Sequence, residues 1–253
     1  GMLKANEIEI WSSQHAYTTA DPLMVKNAKT ITEITYEEAI ELSHFEHNLV
    51  APAALNNAIK KRIPIKILAF ENMTGVATLI HHDVAAKTEM ITGISSMENI
   101  ALISIEGSGM IGVPGFAKRV FAGLNDASIN VILISQGASE HSICVAVGND
   151  AKNQAIEALE NTFEKEISNG IMQPISSSGD VSIIGLVGEN MRNHPGISGR
   201  MFGSLGRNGI NVLAIAQGSN ERNISAVIRS SDRIKALNVL HESFFFQAED
   251  GIR

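Results

Sequence analysis

Two glutamine side chains, Gln136 and Gln217, stand where they could bind a small polar molecule. Each ends an apolar run typical of a buried strand and precedes a glycine, in the segments ISQG and IAQG. A glutamine amide offers two N–H donors and one carbonyl acceptor, which suits the hydroxyl and backbone groups of a small polar amino acid. The competing interpretation is that each glutamine only caps a strand or a turn.

A proline–glycine pair precedes a predicted helix in the same two parts of the chain. Pro114 and Pro195 stand at the position that proline favours at a helix start. The free N–H groups and positive dipole end of each helix could seat a carboxylate. The candidate residues form two matching sets, which are Met110, Gly112, Pro114, Gly115, Asn130 and Gln136, and Met191, Pro195, Gly196, Asn211 and Gln217. A turn role between helix and strand fits Asn130 and Asn211 equally well.

The two sets match because residues 110–147 and 191–228 are one segment written twice. The copies share 14 identities over 38 positions without a gap. A repeat of this length is typical of a duplicated small domain rather than of a solenoid unit. A molecule bound by one copy would therefore have a counterpart site in the other.

Each copy predicts the same order of elements. In the first copy, helices are predicted from Pro114 and over residues 150–167, and strands at 100–105, 129–135, 142–147 and 172–175. The order β-α-β-β-α-β is the ferredoxin-like split unit. The second copy follows this order from Val181, with its last helix near residues 233–241.

Residues 1–84 have a different pattern, in which strands alternate with helices. Helices are predicted at 36–42 and 53–60, and strands at 8–11, 63–68 and 77–80. Five elements are too few for a complete α/β domain. The predicted fold is therefore α+β, with tandem ferredoxin-like domains at 85–177 and 178–246 after the end of an α/β domain at 1–84. The aperiodic residues 247–253 are interpreted as a foreign tail.

The composition favours an ordinary soluble globular protein. The 253 residues are 44% hydrophobic and 19% charged, and the formal net charge is −7 with scattered basic residues. This pattern argues against a nucleic-acid or membrane-surface partner. Because no apolar stretch could span a bilayer and no signal peptide is recognisable, a cytoplasmic location is predicted. Cys144 lies in an apolar run and is predicted to be a small buried hydrophobe.

Other residues that could do chemistry fit simpler roles. Loop or solvated positions suit four histidines that match no standard zinc spacing, namely His44, His47, His81 and His82. A solvated helix face suits the acidic residues Glu37, Glu38 and Glu41. A phosphate-binding loop is only loosely matched by Gly107, Gly109 and Gly112.

The repeated segment resembles the paired ACT domains of aspartokinases, above all those of threonine-sensitive bifunctional aspartokinase–homoserine dehydrogenases. The resemblance rests on ISQG followed by SE at 139–140, on IAQG followed by Glu221, and on PGIS at 195–198. The N-terminal piece resembles the end of an aspartokinase catalytic domain through TADP at 19–22, YEEA at 36–39, IPI at 63–65 and TLI at 78–80. The resemblance implies an effector between two ACT domains, near the loop before the first helix and the end of the second strand.

The kinase-like piece departs from the family's pattern where phosphate would be handled. The family's KFGGT segment is absent, and its Thr-Asp, arginine, lysine and histidine are replaced by Ser12-Ser13, Leu23, Asn48 and Ala51. A phosphoryl-transfer site depends on cations and donors placed around the phosphates. No catalytic residue and no cofactor are therefore predicted for this chain, although the parent kinase would use ATP and magnesium. A dehydrogenase-type Gly-x-Gly-x-x-Gly is not found after any predicted strand.

The resemblance implies the regulatory part of a bifunctional aspartokinase that continues beyond both ends of this sequence. It implies threonine as the feedback effector and a homodimer or higher oligomer as the assembly. One alternative is an active kinase that phosphorylates aspartate with ATP. Another is an RNA-binding module, which has the same element order. Such a module uses exposed aromatic side chains on its central strands, and the strands predicted at 100–105 and 142–147 contain no aromatic residue. Whether both copies bind effector, and whether lysine competes, stays open.

Overall fold

The structure is a computed structural model that describes residues 5–13, 16–45, 49–50, 52–70, 76–82, 84, 89–137 and 141–246, with backbone alone for 52–54. The predicted tail at 247–253 lies outside these residues. At the predicted boundary 84/85, residue 84 is described and residue 85 is not.

The N-terminal piece contains a four-stranded sheet and two helices. The helices are α1 (Tyr36–Phe45) and α2 (Pro52–Lys61), and the strands are β1 (Ile8–Ser12), β2 (Glu33–Ile34), β3 (Ile65–Ala69) and β4 (Thr78–Ile80). The strand order is β1-β3-β4-β2, in which β3 and β4 are antiparallel and the other two pairs parallel. All five predicted elements are present with slightly shifted bounds. Among the described residues of this piece, β2 is the one strand that was not predicted, because two residues show no periodicity.

The two repeats together form one six-stranded antiparallel sheet in the order β6-β7-β5-β8-β10-β9. Its strands are β5 (Gly93–Glu106), β6 (Val131–Gln136), β7 (Ser142–Gly148), β8 (Ser176–Val187), β9 (Val212–Gln217) and β10 (Asn223–Arg229). The accompanying helices are α3 (Phe116–Asp126), α4 (Lys152–Thr162), α5 (Glu164–Ser168), α6 (Ile197–Arg207) and α7 (Arg233–Phe245).

The long strands β5 and β8 are shared between the repeats. Residues 102–104 of β5 pair with 176–178 of β8 in the first repeat, whereas residues 93–97 pair with 183–187 in the second. The second repeat therefore takes its fourth strand from residues 93–97 at the start of β5, which come before the residues of β5 that pair with β7 in the first repeat. The predicted boundary between the two ferredoxin-like domains, at 177/178, falls inside β8. This strand pairs with β5 on both sides of that position, so the two domains share one continuous strand there.

Two predicted elements of the first repeat are wrong in detail. Residues 172–175 are not a strand, because β8 begins at Ser176 and continues through Val181. The helix predicted over 150–167 is divided at Phe163, which lies between α4 and α5 with non-helical backbone angles. Phe163 is fully buried and stacks on Phe116, with ring centroids 4.6 Å apart.

Alternating apolar side chains bury both faces of the large sheet. On one face, residues such as Ile103 and Leu186 pack against the helices of their own repeat. On the opposite face, Leu102, Ile183 and Val227 share a core with the N-terminal piece. Cys144 is half-buried at the margin of this shared core. The sheet and helices of the N-terminal piece thus pack on the face that the ferredoxin-like helices leave free, whereas Ala20 and Val25 of the same piece join the core on the helix face of the second repeat.

Candidate functional site

A glycine in a left-handed conformation precedes the first helix of each repeat. Gly115 has φ 83° and Gly196 has φ 95°, and α3 and α6 begin at the next residue. The prediction that the helices begin at Pro114 and Pro195 is therefore wrong, since the glycine at the N-cap separates each proline from its helix. The backbone N–H groups of the first helical turn still point out of the helix end, as the carboxylate-seat hypothesis requires.

A cavity of about 330 Å³ lies at this turn in the first repeat. Five of the residues that line it belong to the first candidate set, namely Met110, Gly112, Pro114, Gly115 and Gln136. The remaining walls are Val113, Phe116, Ala117 and Ile143. Because Phe116 and Ala117 form the first turn of α3, main-chain donors and the Gln136 amide border one space. A ligand with a carboxylate and a hydroxyl could use both.

The second repeat reproduces this turn with a different residue composition. Met191 is buried, while Pro195 and Gly196 are exposed. Asn193 stands in the place of Gly112 and shares its positive φ, at 57° against 68°. The N–H of Asn193 donates to the Glu221 carboxylate at 2.8 Å. A side chain from the loop after Gln217 therefore reaches the turn before α6.

A second cavity of about 860 Å³ lies between the edge strands β6 and β9. Gln136 and Gln217 both border it, and so does Asn130. Helix α1 closes one side through Glu41, His44 and Phe45. Asn130 therefore joins the glutamines at this cavity rather than at the turn before α3. Asn211 is exposed and borders neither of these two cavities.

The α1 residue Glu38 connects the N-terminal piece to the second repeat, which sequence reasoning missed. Its side chain is only 1% exposed, so the prediction that it belongs to a solvated helix face is wrong. The carboxylate accepts the N–H of Thr35 at 2.9 Å, the N–H of Glu189 at 3.1 Å and the hydroxyl of Thr92. Thr35 and Glu38 also form a reciprocal capping box. That local signal was readable in the sequence, whereas the distant partners were not.

Glu41, one turn further along α1, also bonds to the second repeat. Its carboxylate accepts the side-chain amides of Asn220 at 3.3 Å and Asn223 at 3.0 Å. Nearby, Arg222 donates to both carboxylate oxygens of Glu189, and the Glu189 hydrogen bond raises the pKa of the Arg222 guanidinium. The loop after Gln217 is thus bonded both to α1 and to the turn before α6.

Arg119 and Arg200 occupy equivalent positions and hold each repeat's helices together. Arg119 forms an ion pair with Glu166, and its guanidinium carbon lies 4.5 Å from the Phe163 ring centroid. Arg200 donates to the carbonyl of Ser243 and lies 4.9 Å from the Phe244 ring centroid. Both are explained by packing of the first helix of the repeat against its second.

The remaining candidates for chemistry do not converge on a metal site in the described residues. There, no group of three or more His, Cys, Asp or Glu side chains is placed to hold a metal ion. His81 lies 3.9 Å from Glu33, and His47 lies outside the described residues. None of the helices described is long and apolar enough to cross a membrane.

Comparison with known proteins identifies both parts of the chain. The ACT domain model matches residues 103–163 and 184–244, and the amino acid kinase family model matches residues 1–69. The bifunctional aspartokinase/homoserine dehydrogenase of Daucus carota, a chloroplastic protein, is 36% identical over 251 residues. The match covers 96% of this chain and 27% of the carrot protein.

Solved aspartate kinases have the same fold. The Clostridium acetobutylicum enzyme superposes with a TM-score of 0.82 at 24% identity, over 96% of this chain and 54% of that one. Escherichia coli aspartokinase III, in complex with lysine and aspartate, gives 0.76 at 23% identity, over 96% and 53%. These likenesses confirm the predicted α+β architecture. The carrot protein matches the kinase segment and the ACT pair in one continuous alignment, so the chain combines an amino acid kinase segment with tandem ACT domains and is similar to bifunctional aspartokinase/homoserine dehydrogenases.

Proposed function

We propose that this chain is the part of an aspartokinase that binds threonine as a feedback effector and passes the signal to the kinase domain. The observation that carries the proposal is the cavity at the turn before α3, which Gln136 and the first helical turn border together. Its volume of about 330 Å³ lies within the range of small-molecule sites, roughly 300–1,000 Å³. The chain spans only 27% of the carrot relative, so the activity of the whole protein is part of the proposal.

The chemistry of the cavity suits a hydroxy amino acid. The carboxylate of threonine would accept main-chain N–H groups at the start of α3, where the helix dipole favours negative charge. The Gln136 amide would bond to the hydroxyl. Met110, Phe116 and Ile143 offer apolar contacts to the methyl group. The second repeat, with Gln217 and the turn at Pro195 and Gly196, would form the matching site.

The effector site would act on the kinase through a coupling free energy, typically about 1–3 kcal/mol. We further propose that the ACT pair self-associates. Three apolar side chains of the first repeat, Ile111, Val113 and Ile134, are each about half exposed. Ile134 lies on the edge strand β6, whose unpaired backbone groups could pair with a second copy.

An active aspartate kinase is the second candidate, favoured by the family match at residues 1–69. It would need ATP, magnesium and cations at the phosphates. Leu23 replaces the family's arginine and is 89% exposed to solvent. Asn48 and Ala51, two other departures, lie outside the described residues. Titration with ATP and magnesium separates the candidates, because only the active kinase requires binding.

Calorimetric titration with the proteinogenic amino acids tests the proposed function directly. Threonine is expected to bind, while valine and alanine, which lack the hydroxyl, are expected to bind more weakly. Lysine is the informative comparison, since it is the ligand in one fold neighbour. If lysine binds and threonine does not, the effector assignment is wrong; if no amino acid binds, the effector-binding function is wrong.

A further inference from the structure

Asn169 and Gly170 form one of the two Asn-Gly pairs in the sequence, the other being Asn208 and Gly209. Asparagine is a thermolabile residue, and it reacts most readily before glycine, whose unhindered nitrogen attacks the side-chain carbonyl carbon. A C–N bond forms, and the amide group leaves as ammonia with the proton of the glycine N–H. Water then opens the cyclic imide to aspartate or to isoaspartate. In isoaspartate the main chain runs through the side-chain carbonyl and is one methylene longer.

The side chain of Asn169 is open to this reaction. Asn169 is exposed and follows the five-residue helix α5, and its side-chain amide has no hydrogen-bond partner among the described residues. Gly170 has φ 68°, and a Cβ atom placed on it would meet nothing within 4 Å, so a cyclic imide has room there. The Gly170 N–H donates to the Ile167 carbonyl at 3.0 Å, and this bond must open before the nitrogen can attack.

More bonds hold the second Asn-Gly pair, at the end of the eleven-residue helix α6. The side-chain amide of Asn208 donates to the Ser204 carbonyl at 2.9 Å. The Gly209 N–H donates to the Gly206 carbonyl at 3.0 Å. Lys235 donates to the main-chain carbonyl of Asn208 at 2.6 Å. Since each of these bonds adds to the free energy of local opening, the Asn208 pair should react more slowly than the Asn169 pair.

The loop after α5 supports the turn that lines the cavity before α3. The carbonyl of Ile171 accepts the N–H of Gly109 at 3.2 Å, and Gly109 precedes the cavity residue Met110. A Cβ atom placed on Gly109 would lie 1.9 Å from the Ile171 side chain, so the two segments are in close contact. The N–H of Ile171 donates in turn to the Glu166 carbonyl at 3.0 Å. The Asn-Gly pair therefore lies inside a short loop that is fixed at both ends.

We propose that Asn169 is a deamidation site and that its isoaspartate product loosens the turn at residues 107–110. The added methylene lengthens the main chain inside the closed loop, so the bonds of Ile171 to Glu166 and Gly109 cannot both keep their geometry. The new carboxylate also stands at the C-terminal end of α5, where a helix disfavours negative charge. The expected loss of threonine affinity rests on the proposed function, whereas the modification itself does not.

Peptide mapping by mass spectrometry, on the folded chain incubated in mild alkali, tests the modification. Mild alkali promotes loss of the glycine N–H proton and so speeds the attack. Deamidation is expected to be at least about fivefold faster at Asn169 than at Asn208, because the second pair has additional bonds to open. A smaller native ratio would overturn the assignment.

Unfolding the chain in urea supplies the control for the structural cause. Without the native bonds, the Asn169 and Asn208 pairs should react at rates within about twofold of each other. If the fivefold preference for Asn169 persists in urea, the folded structure is not its source, and the argument from the bonds is wrong.

Asn169→Gln is the matched variant, because glutamine keeps an amide but closes its larger ring far more slowly. After the same incubation, hydrogen exchange at residues 107–110 is expected to be at least about twofold faster in the parent and unchanged in Asn169→Gln. Threonine affinity should fall at least about threefold in the aged parent and be retained in aged Asn169→Gln. Unchanged exchange after deamidation would overturn the link to the turn, and unchanged affinity would overturn its effect on the site.

The failure of the proposed function is distinguishable from the failure of this inference. If threonine binds neither the fresh nor the aged chain, while deamidation and faster exchange are both observed, the proposed effector is wrong and the modification site stands. If threonine binds and Asn169 stays intact under conditions that deamidate Asn208, the inference is wrong and the proposed function is untouched.

Discussion

Gln136 and Gln217 end the two edge strands β6 and β9, and both border the cavity of about 860 Å³ that separates these strands. Gln136 also borders the smaller cavity at the turn before α3. The two glutamines thus occupy equivalent positions in the repeats and line the same cavity. This arrangement makes the pair the most direct place to test effector binding.

Replacing either glutamine with alanine is expected to weaken threonine binding. Without the glutamine amide, the threonine hydroxyl would leave water on binding and find no hydrogen-bond partner. This costs about 1–3 kcal/mol, or roughly five- to a hundredfold in affinity. Alanine and valine lack the hydroxyl, so their weaker binding should be nearly the same in variant and parent. Calorimetry on Gln136→Ala, Gln217→Ala and the double variant measures this. Parent-like threonine binding in all three would remove the glutamines from the site.

The glycine at each helix N-cap is expected to be required for its backbone conformation. Gly196→Ala places a Cβ on a residue with φ 95° and should destabilise the protein by about 1 kcal/mol. Gly199→Ala is the matched control three residues later, inside α6, with open space around the new Cβ. That change should stabilise by about 0.5–1 kcal/mol, since alanine is the better helix former. Urea unfolding midpoints should therefore move in opposite directions, and a common direction would contradict the argument.

The purified chain is expected to show no aspartate kinase activity. Asp21 accepts the N–H of Leu23 at 2.8 Å, which closes a turn and leaves the Leu23 side chain in solvent where the family has an arginine. A phosphoryl-transfer site without its cations cannot stabilise the transferring group. Coupled detection of ADP formation with aspartate, ATP and magnesium checks this prediction. Aspartate-dependent turnover by the chain, absent from a mock preparation, would refute it.

The sequence points to the residues that line the cavity before α3, but it does not reveal that β5 and β8 pair in both repeats. The glutamines and the proline–glycine pairs were found because the duplication aligns them without a gap. The start of β8 was missed because residues 176–180 are exposed Ser, Gly and Asp, which carry no apolar alternation. Their strand conformation comes from pairing with β5, a contact far away in the sequence.

The α1 contacts were missed for a related reason. The sequence shows Glu38 as the last residue of a T-x-x-E capping box, which explains only its bonds to Thr35. Its bond to Glu189 spans 151 positions, and that of Glu41 to Asn223 spans 182. Local periodicity does not predict partners so far away in the sequence. The buried, hydrogen-bonded carboxylate of Glu38 was therefore interpreted as part of a solvated acidic helix face.

The chain is expected to self-associate through the edge of the first repeat. Ile134 on the edge strand β6 is 47% exposed, so Ile134→Glu would place a charge in the proposed interface. Sedimentation of the parent at micromolar concentration should show a dimer or larger species, and Ile134→Glu should shift it towards monomer. Ile234→Glu on α7 is the control, with 56% exposure and no place in the proposed interface. A monomeric parent would contradict the prediction.

Stability is expected to fall in mild acid because of His241. This side chain is buried on α7, and its Nε2 lies 2.8 Å from the Thr19 hydroxyl. Burial, with a smaller contribution from Lys29, lowers the pKa of His241 below its ordinary value of 6.5. The unfolded chain therefore binds a proton at a higher pH than the folded chain does. The stability contributed by neutral His241 is complete above about pH 6.5 and is lost progressively as the pH falls towards the folded-state pKa.

His241→Gln should flatten this pH dependence, since glutamine can still bond to Thr19 and does not titrate. His44→Gln is the control, because His44 is exposed and its loss should leave the slope of the parent. The free energy of unfolding, measured by urea titration between about pH 5 and 8, reports the slope directly. If the parent and His241→Gln lose stability in parallel as the pH falls, then neutral His241 is not the source of the acid sensitivity, and the burial argument fails.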